Sequence, residues 1–236
     1  MTRGLSVIVP AYNEERLLAD AIESMVVSVS PVAEPLEIVI VNDGSADRTA
    51  DIAEALGQRL AGVRVVHHAV NAGWGQAVRT GIANAKHEYV VLAPVDNPLS
   101  GEQARTFLDA VDGADVVIGF RRGRAGYSPW LSLGSRCYRL LVNMLFGVRY
   151  RDVNWIHVYR RSAIERLPLR LSGIVFPAEV VVKAHRRGYR IVEVYSEMKA
   201  RTHGRPTVSR PRVILRALRD LARLWRELRS PEWRRP

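Results

Sequence analysis

Short apolar runs alternate with amphipathic stretches through the first half of the chain. The runs are LSVIVP (5–10), LEIVIVN (36–42), VRVVHH (63–68), EYVVLA (88–93) and ADVVIGF (114–120). Their β-branched residues are continuous rather than alternating, as in strands covered on both faces. Helix-period segments begin near Glu14, Asp47, Gly75 and Gly101. Strands separated by helices predict an α/β fold with a mostly parallel sheet, helices on both faces, and ligands at the carboxyl ends of the strands.

The pattern changes after residue 120. RRGRAGYSPW (121–130) reads as a basic loop and LSLGSRCYRLLVNMLFG (131–147) as a helix with a wide apolar face. A strand near 155–160, a helix over 177–188 closed by Gly188, and a strand over 189–195 follow. The last segment, 213–229, is strongly amphipathic: Ile214, Leu218, Leu221, Trp225 and Leu228 line one side, and Arg216, Arg219, Arg223 and Arg226 the other. Such a helix either lies in a membrane interface or packs its apolar side on the core.

Composition narrows the class. With 236 residues, 47% of them hydrophobic, the chain can bury a sizeable core. A single cysteine, Cys137, excludes an internal disulfide framework and favours the cytosol. The start, MTRGLSVIVP, lacks the apolar region of a secretory leader, and no apolar stretch nears the roughly 18 residues that cross a bilayer. Charge is unevenly distributed. Residues 1–118 carry 8 Lys+Arg against 16 Asp+Glu, whereas 119–236 carry 27 against 8. The two parts therefore face different partners, and the basic one suits nucleic acid, an anionic membrane or a phosphorylated substrate. Neither an aromatic RNA-binding strand nor a zinc-finger spacing accompanies the arginines, so no nucleic-acid partner is expected.

Candidate chemistry sits where predicted strands end. VIVPAYNEE runs into a loop with Asn13, Glu14 and Glu15, and VNDGSADRT places Asp43 and Gly44 in a turn with Asp47 as N-cap. A carboxylate there can accept hydrogen bonds from a nucleobase or ribose. In NAGWGQ, Gly73 and Gly75 precede a helix, where glycines either aim backbone N–H groups at an anion or let the chain turn. YVVLAPVDNPLS ends a strand in the lone acid Asp96.

These pieces, with ADVVIGFR, RDVNWIHVYRR, FPAEVVVKAHRRGYRIVEV and RTHGRPT in this order, resemble the family 2 glycosyltransferases, in particular the polyprenyl-phosphate (dolichyl-phosphate mannosyltransferase-like) branch. The resemblance covers roughly residues 5–210 and implies a GT-A type, Rossmann-like fold. It implies a nucleotide-sugar-binding half (1–120), an acceptor-binding half of the same domain (121–208) and a basic amphipathic C-terminal helix (209–236). The activity implied is inverting transfer of a sugar from a nucleotide-diphosphate donor to a polyprenyl phosphate. Transfer to a soluble hydroxyl acceptor, or nucleotide-sugar binding without catalysis, are the alternatives.

By the same resemblance Pro10, Tyr12, Glu14, Asp43, Gly73, Gln76 and Asp96 bind the donor. Asp96 occupies the second acid of an Asp-x-Asp motif whose first position is Pro94 here, so it would be the one protein ligand of a Mg²⁺ or Mn²⁺ ion. Arg201 would meet a phosphate, with Thr207 in place of the family's serine. Arg121, Ser135 and Arg136 fall in the acceptor-phosphate region, where Leu131 replaces an expected arginine. Glu179 is the base candidate if the acceptor is a hydroxyl. His157 reads as structural and His203 as a loop residue. The lipid acceptor and the C-terminal helix together imply a cytoplasmic protein held peripherally at an anionic inner membrane face.

Overall fold

The computed structural model describes residues 3–121, 129–196 and 211–233. Most of the basic 121–130 segment, Arg201, His203 and Thr207 lie outside the described residues.

The described residues form a seven-stranded mixed sheet. Its first strands are β1 (Leu5–Ala11), β2 (Leu36–Asn42), β3 (Val63–His67) and β4 (Tyr89–Leu92). β5 (Val116–Phe120), β6 (His157–Arg160) and β7 (Ile191–Tyr195) complete it, in the order β3-β2-β1-β4-β6-β5-β7. Only β6 is antiparallel to its neighbours, so the carboxyl ends of the other strands share one rim. The strand order reverses beside β1: β2 lies on one side and β4 on the other. Such a reversal opens a crevice between the loops leaving the two strands, the usual ligand position in open α/β sheets. β6 and β7 join the same sheet as the first five strands, so one core spans the change in charge.

Side chains alternate across the sheet. Val7 and Val9 enter a cluster with Leu18, Ile22 and Met25 of α1 (Leu18–Val29), to which α2 (Thr49–Arg59) and α4 (Gly101–Asp109) also contribute. Ile8, Val39 and Val41 face the other cluster, built with α3 (Trp74–Asn84), α5 (Pro129–Phe146) and α6 (Arg161–Glu165). α7 (Phe176–Arg186) and α8 (Pro211–Glu227) complete that second layer. Period-2 burial on both faces explains why the strands are continuous apolar runs.

Several boundaries differ from expectation. The first helix starts at Leu18 rather than near Glu14, because residues 13–15 are hydrogen-bonded across to the β2 loop. Helix α4 begins at Gly101 as expected, closed by a reciprocal Ser100–Gln103 capping box. In α8 the buried ridge is Ala217, Leu221, Leu224 and Leu228, whereas Ile214, Leu218 and Trp225 of the expected apolar face are exposed. No helix among the described residues is long and apolar enough to cross a membrane.

Candidate active site at the sheet rim

Two loops meet at the strand-order reversal. After β1 the chain turns at Asn13, whose φ of 55° is left-handed. Asn13 holds the β2 loop twice: its N–H donates to Ser45 Oγ at 3.0 Å, and its Oδ1 accepts from the Ala46 N–H at 2.9 Å. The Glu14 N–H donates to Thr49 Oγ1 at 2.8 Å and the Glu15 N–H to Asp47 Oδ2 at 3.2 Å. Asp47 also accepts from the Thr49 N–H and hydroxyl, bracing the turn into α2. The half-buried Glu14 carboxyl holds its proton more tightly than usual, first through burial and then through the negative charges of Asp96 and Asp47. Asp96, from the β4 loop, thus acts electrostatically on Glu14 across the reversal.

The β2 loop in turn carries the β3 loop. Asp43 is buried; its Oδ1 accepts from the Ala72 N–H at 2.9 Å and its Oδ2 from the Gly73 N–H at 2.8 Å. His68 Nδ1 lies 2.7 Å from Asp43 Oδ1, and its Nε2 lies 2.9 Å from Thr80 Oγ1 on α3. A Cβ on Gly44 would stand 2.5 Å from the Val70 carbonyl carbon, which, with its φ of 67°, requires glycine there. Asp43 and Gly44 therefore fix the glycine loop. The Gly75 N–H donates to the Ser172 carbonyl at 3.1 Å, and a Cβ there would meet Ser172 Cα at 2.4 Å. Of the two readings of this loop, the Ala72, Gly73 and Gly75 N–H groups fit the turn: each points at a protein acceptor.

The second layer braces the same loop from beneath. Glu179 is fully buried on α7; Oε1 accepts from the Arg170 N–H and Oε2 from the Leu171 N–H, both at 2.9 Å. Lys183 Nζ lies 2.6 Å from Glu179 Oε1 and 2.8 Å from Glu227 Oε1 of α8, and donates to the Pro168 carbonyl at 2.6 Å. Arg79 of α3 reaches the Leu171 carbonyl at 2.8 Å and the exposed Gln76 side chain. Glu179, Arg79 and Gly75 thus converge on one segment, 168–172.

Toward the basic side, the Arg121 side chain at the end of β5 donates to Asp152 Oδ2 at 2.8 Å and lies over Trp155, 4.4 Å from the ring centre. His157, below it on β6, is buried with Nδ1 3.0 Å from the Tyr159 hydroxyl. Burial pushes its pKa down to about 4, the Asp152 charge opposing and Arg121 adding to the shift.

The structure gathers Glu14, Asp43, Gly73 and Asp96 at the rim, with Pro10 the penultimate residue of β1 and Tyr12 exposed just beyond it. Ser135 and Arg136 sit on α5, half-buried and exposed respectively. His68 and Arg79 were not singled out from sequence. His68 had a signal, a second histidine at the end of an apolar strand; Arg79 had only its spacing of three from Gln76. Among the described residues no group of three or more His, Cys, Asp or Glu side chains forms a metal-binding cluster.

An open, mostly parallel sheet whose strand order reverses beside β1, with acid-bearing loops at that point, defines a doubly wound α/β protein. The chain belongs to glycosyl transferase family 2, whose family model matches residues 6–167. It is similar to an undecaprenyl-phosphate 4-deoxy-4-formamido-L-arabinose transferase of Pseudomonas paraeruginosa, 31% identical over 69% of this chain and 49% of that protein. The corresponding transferase of Edwardsiella ictaluri is 28% identical over 85% of this chain and 61% of its own length. The chain thus spans about half to three fifths of these relatives. An uncharacterized glycosyltransferase of Mycobacterium bovis is 29% identical over 87% of this chain and 90% of its own.

Among solved structures, glucosyl-3-phosphoglycerate synthase from Mycobacterium tuberculosis, with Mn²⁺, UDP-glucose and phosphoglyceric acid, matches with a TM-score of 0.72 at 20% identity. The match covers 94% of this chain and 80% of that one. The likeness establishes the GT-A type fold; the chain is a family 2 glycosyltransferase.

Proposed function

We propose that this enzyme transfers a sugar, with inversion, from a nucleoside-diphosphate donor to a polyprenyl phosphate. The observation that carries the donor site is the meeting of the Glu14 and Asp96 loops at the β1–β4 reversal, where Asp96 raises the proton affinity of Glu14. Excess negative charge in that crevice suits a cation accompanying a diphosphate. The acceptor class is supported by the relatives named for undecaprenyl phosphate.

In the reaction an acceptor phosphate oxygen attacks the anomeric carbon. The bond from that carbon to the diphosphate breaks, its electron pair leaving with the nucleoside diphosphate. A phosphate monoester is largely dianionic at neutral pH, so no general base is needed and positioning dominates. Asp96 would supply one hard oxygen ligand of the kind Mg²⁺ or Mn²⁺ takes, and an ion held there would neutralise charge developing on the diphosphate. Asp43 and Gly44 shape the donor loop, Tyr12 and Gln76 flank it, and Arg201, Ser135 and Arg136 are proposed for acceptor or leaving-group phosphate. Arg121 contributes through its pair with Asp152. Peripheral attachment at the cytoplasmic face of an anionic membrane follows from a lipid acceptor.

A hydroxyl acceptor would require a base, and the sequence candidate is Glu179. Its buried carboxylate, bonded to Arg170, Leu171 and Lys183, supports a positioning role instead. The test is a matrix of uridine and guanosine diphosphate sugars against short polyprenyl phosphates and soluble hydroxyl acceptors, with and without Mg²⁺ or Mn²⁺, read by mass spectrometry. Glycosylated lipid phosphate is the expected product. Asp96→Asn should lower kcat/KM about 10³-fold. Products on hydroxyl acceptors alone refute the acceptor; an unimpaired Asp96→Asn enzyme refutes the site.

A further inference from the structure

Helix α5 leaves an ordered apolar stripe facing solvent. Trp130, Leu133, Cys137, Leu140 and Met144 recur at spacings of three and four, so they share one side of the helix. All five are exposed; Trp130 and Met144 keep 81% and 82% of their surface, Leu133 and Leu140 51% and 53%. The opposite side does the packing, through Val142 and Phe146, into the cluster that also takes Leu221 and Leu224 of α8. The stripe is thus surplus to the core. Exposed apolar surface of this extent and regularity marks an interaction site.

Helix α8, packed against α5, repeats the device with charge added. Ile214, Leu218 and Trp225 form a second exposed ridge beside the buried one. Arg212, Arg216, Arg219 and Arg223 form another stripe which, with Leu215 and Asp220, lines a concavity of about 420 Å³. Four guanidinium groups around one carboxylate make a surface complementary to phosphate. A second copy laid on the same face by two-fold symmetry would oppose arginine to arginine, which like-charge repulsion disfavours. An anionic lipid surface meets both demands: headgroups take the arginines of α8, and the acyl boundary takes the apolar stripe of α5, with Trp130 at the preferred depth for an indole.

We infer that α5 and α8 form one docking face for an anionic lipid bilayer, α5 supplying the inserting apolar edge and α8 the cationic one. This deepens the lipid-acceptor reading and explains how a helix with so many unburied apolar side chains belongs in the fold. The face also connects with the candidate site: Arg216 donates to Ser172 Oγ at 3.1 Å, and the Ser172 carbonyl accepts from Gly75 at the start of α3. Docking would therefore press on the segment that holds the donor loop.

The experiment is flotation of the full chain with phosphatidylcholine vesicles, with and without phosphatidylglycerol, across a salt series. The chain should float with anionic vesicles and partition about tenfold less onto neutral ones. A Leu133→Ser, Leu140→Ser, Met144→Ser variant should lose about tenfold in partitioning, and an Arg212→Gln, Arg219→Gln, Arg223→Gln variant should lose most of its salt dependence. Met144→Glu alone, a single exposed change, should weaken binding in the same direction with the fold intact by circular dichroism. Failure of the wild-type chain to float, or equal binding by the apolar variants, overturns the proposal. So does a dimer in sedimentation that these variants convert to monomer without any vesicle binding. Turnover of a short water-soluble polyprenyl phosphate without vesicles is measured in parallel, so a failed docking face and a failed acceptor class are read separately.

Discussion

The rim of the sheet and the α5–α8 face use polar side chains in opposite ways. At the rim and in the layer beneath it, Asn13, Asp43, Asp47 and Glu179 are all committed to backbone N–H groups of neighbouring loops. On the α5–α8 face, arginines and apolar side chains point outward and hold little of the fold together. The difference teaches where function resides in each. A rim must hold several irregular loops in register, and buried loop N–H groups need acceptors, so Asp43, Asp47 and Glu179 serve as scaffold beside the proposed donor-site acids Glu14 and Asp96. A helix satisfies its own backbone, so the side chains of its outer face are not needed as acceptors for loop N–H groups.

The largest separation between the two regions should come from Glu179→Gln. The amide retains the shape but turns one acceptor into a donor facing the Arg170 or Leu171 N–H, and it removes the closest charge from buried Lys183. Stability in urea should fall by about 3–5 kcal/mol, the scale for breaking a buried pair from one side. Because segment 168–172 carries the Gly75 contact, KM for the donor should also rise in the folded fraction. Were Glu179 instead a base, kcat on hydroxyl acceptors would collapse while the urea midpoint stayed in place.

Why some of this was readable from sequence follows from the same contrast. Strands β1, β2 and β4 were legible because burial on both faces leaves continuous β-branched runs that no amphipathic helix imitates. The positions of Asp43 and Asp96 after strands, and of Gly73 before a helix, were legible too. Their partners were not: Asp43 is bound to N–H groups 29 and 30 residues away, and a backbone N–H has no signature in a sequence. The face of α8 was misplaced for a related reason. Two apolar ridges run side by side and share Leu221 and Leu228, and small Ala217 is a weaker apolar signal than Leu218. Which ridge meets the core depends on the neighbouring layer. Five-residue α6 is too short to show a period at all.

A second test falls on the seam between the regions. His157 lies on β6, a strand of the basic part inserted between β4 and β5 of the acidic part, and is buried with its pKa near 4 against an ordinary 6.5. The unfolded chain therefore binds a proton that the folded chain rejects throughout this window. Its contribution is fully present above pH 6.5 and is lost as pH falls toward 4, amounting to about 3 kcal/mol. His157→Gln should flatten the dependence of unfolding free energy on pH between those values. An equal slope in both proteins would assign the acid sensitivity to other groups.

The smallest effect is the most telling for the outer face. Met144→Ala removes a large apolar side chain from the last turn of a long helix, yet the side chain is 82% exposed, so little surface buried by folding is lost. Alanine also favours the helix at least as well as methionine. Stability should change by no more than about 0.5 kcal/mol. Phe146→Ala, two positions on and buried, should cost roughly 3 kcal/mol or more, since it opens a cavity between α5 and the core. Equal and large losses at both sites would mean that the stripe is covered by the protein itself, and the separation between a rim that holds the fold and a face that meets a partner would fail.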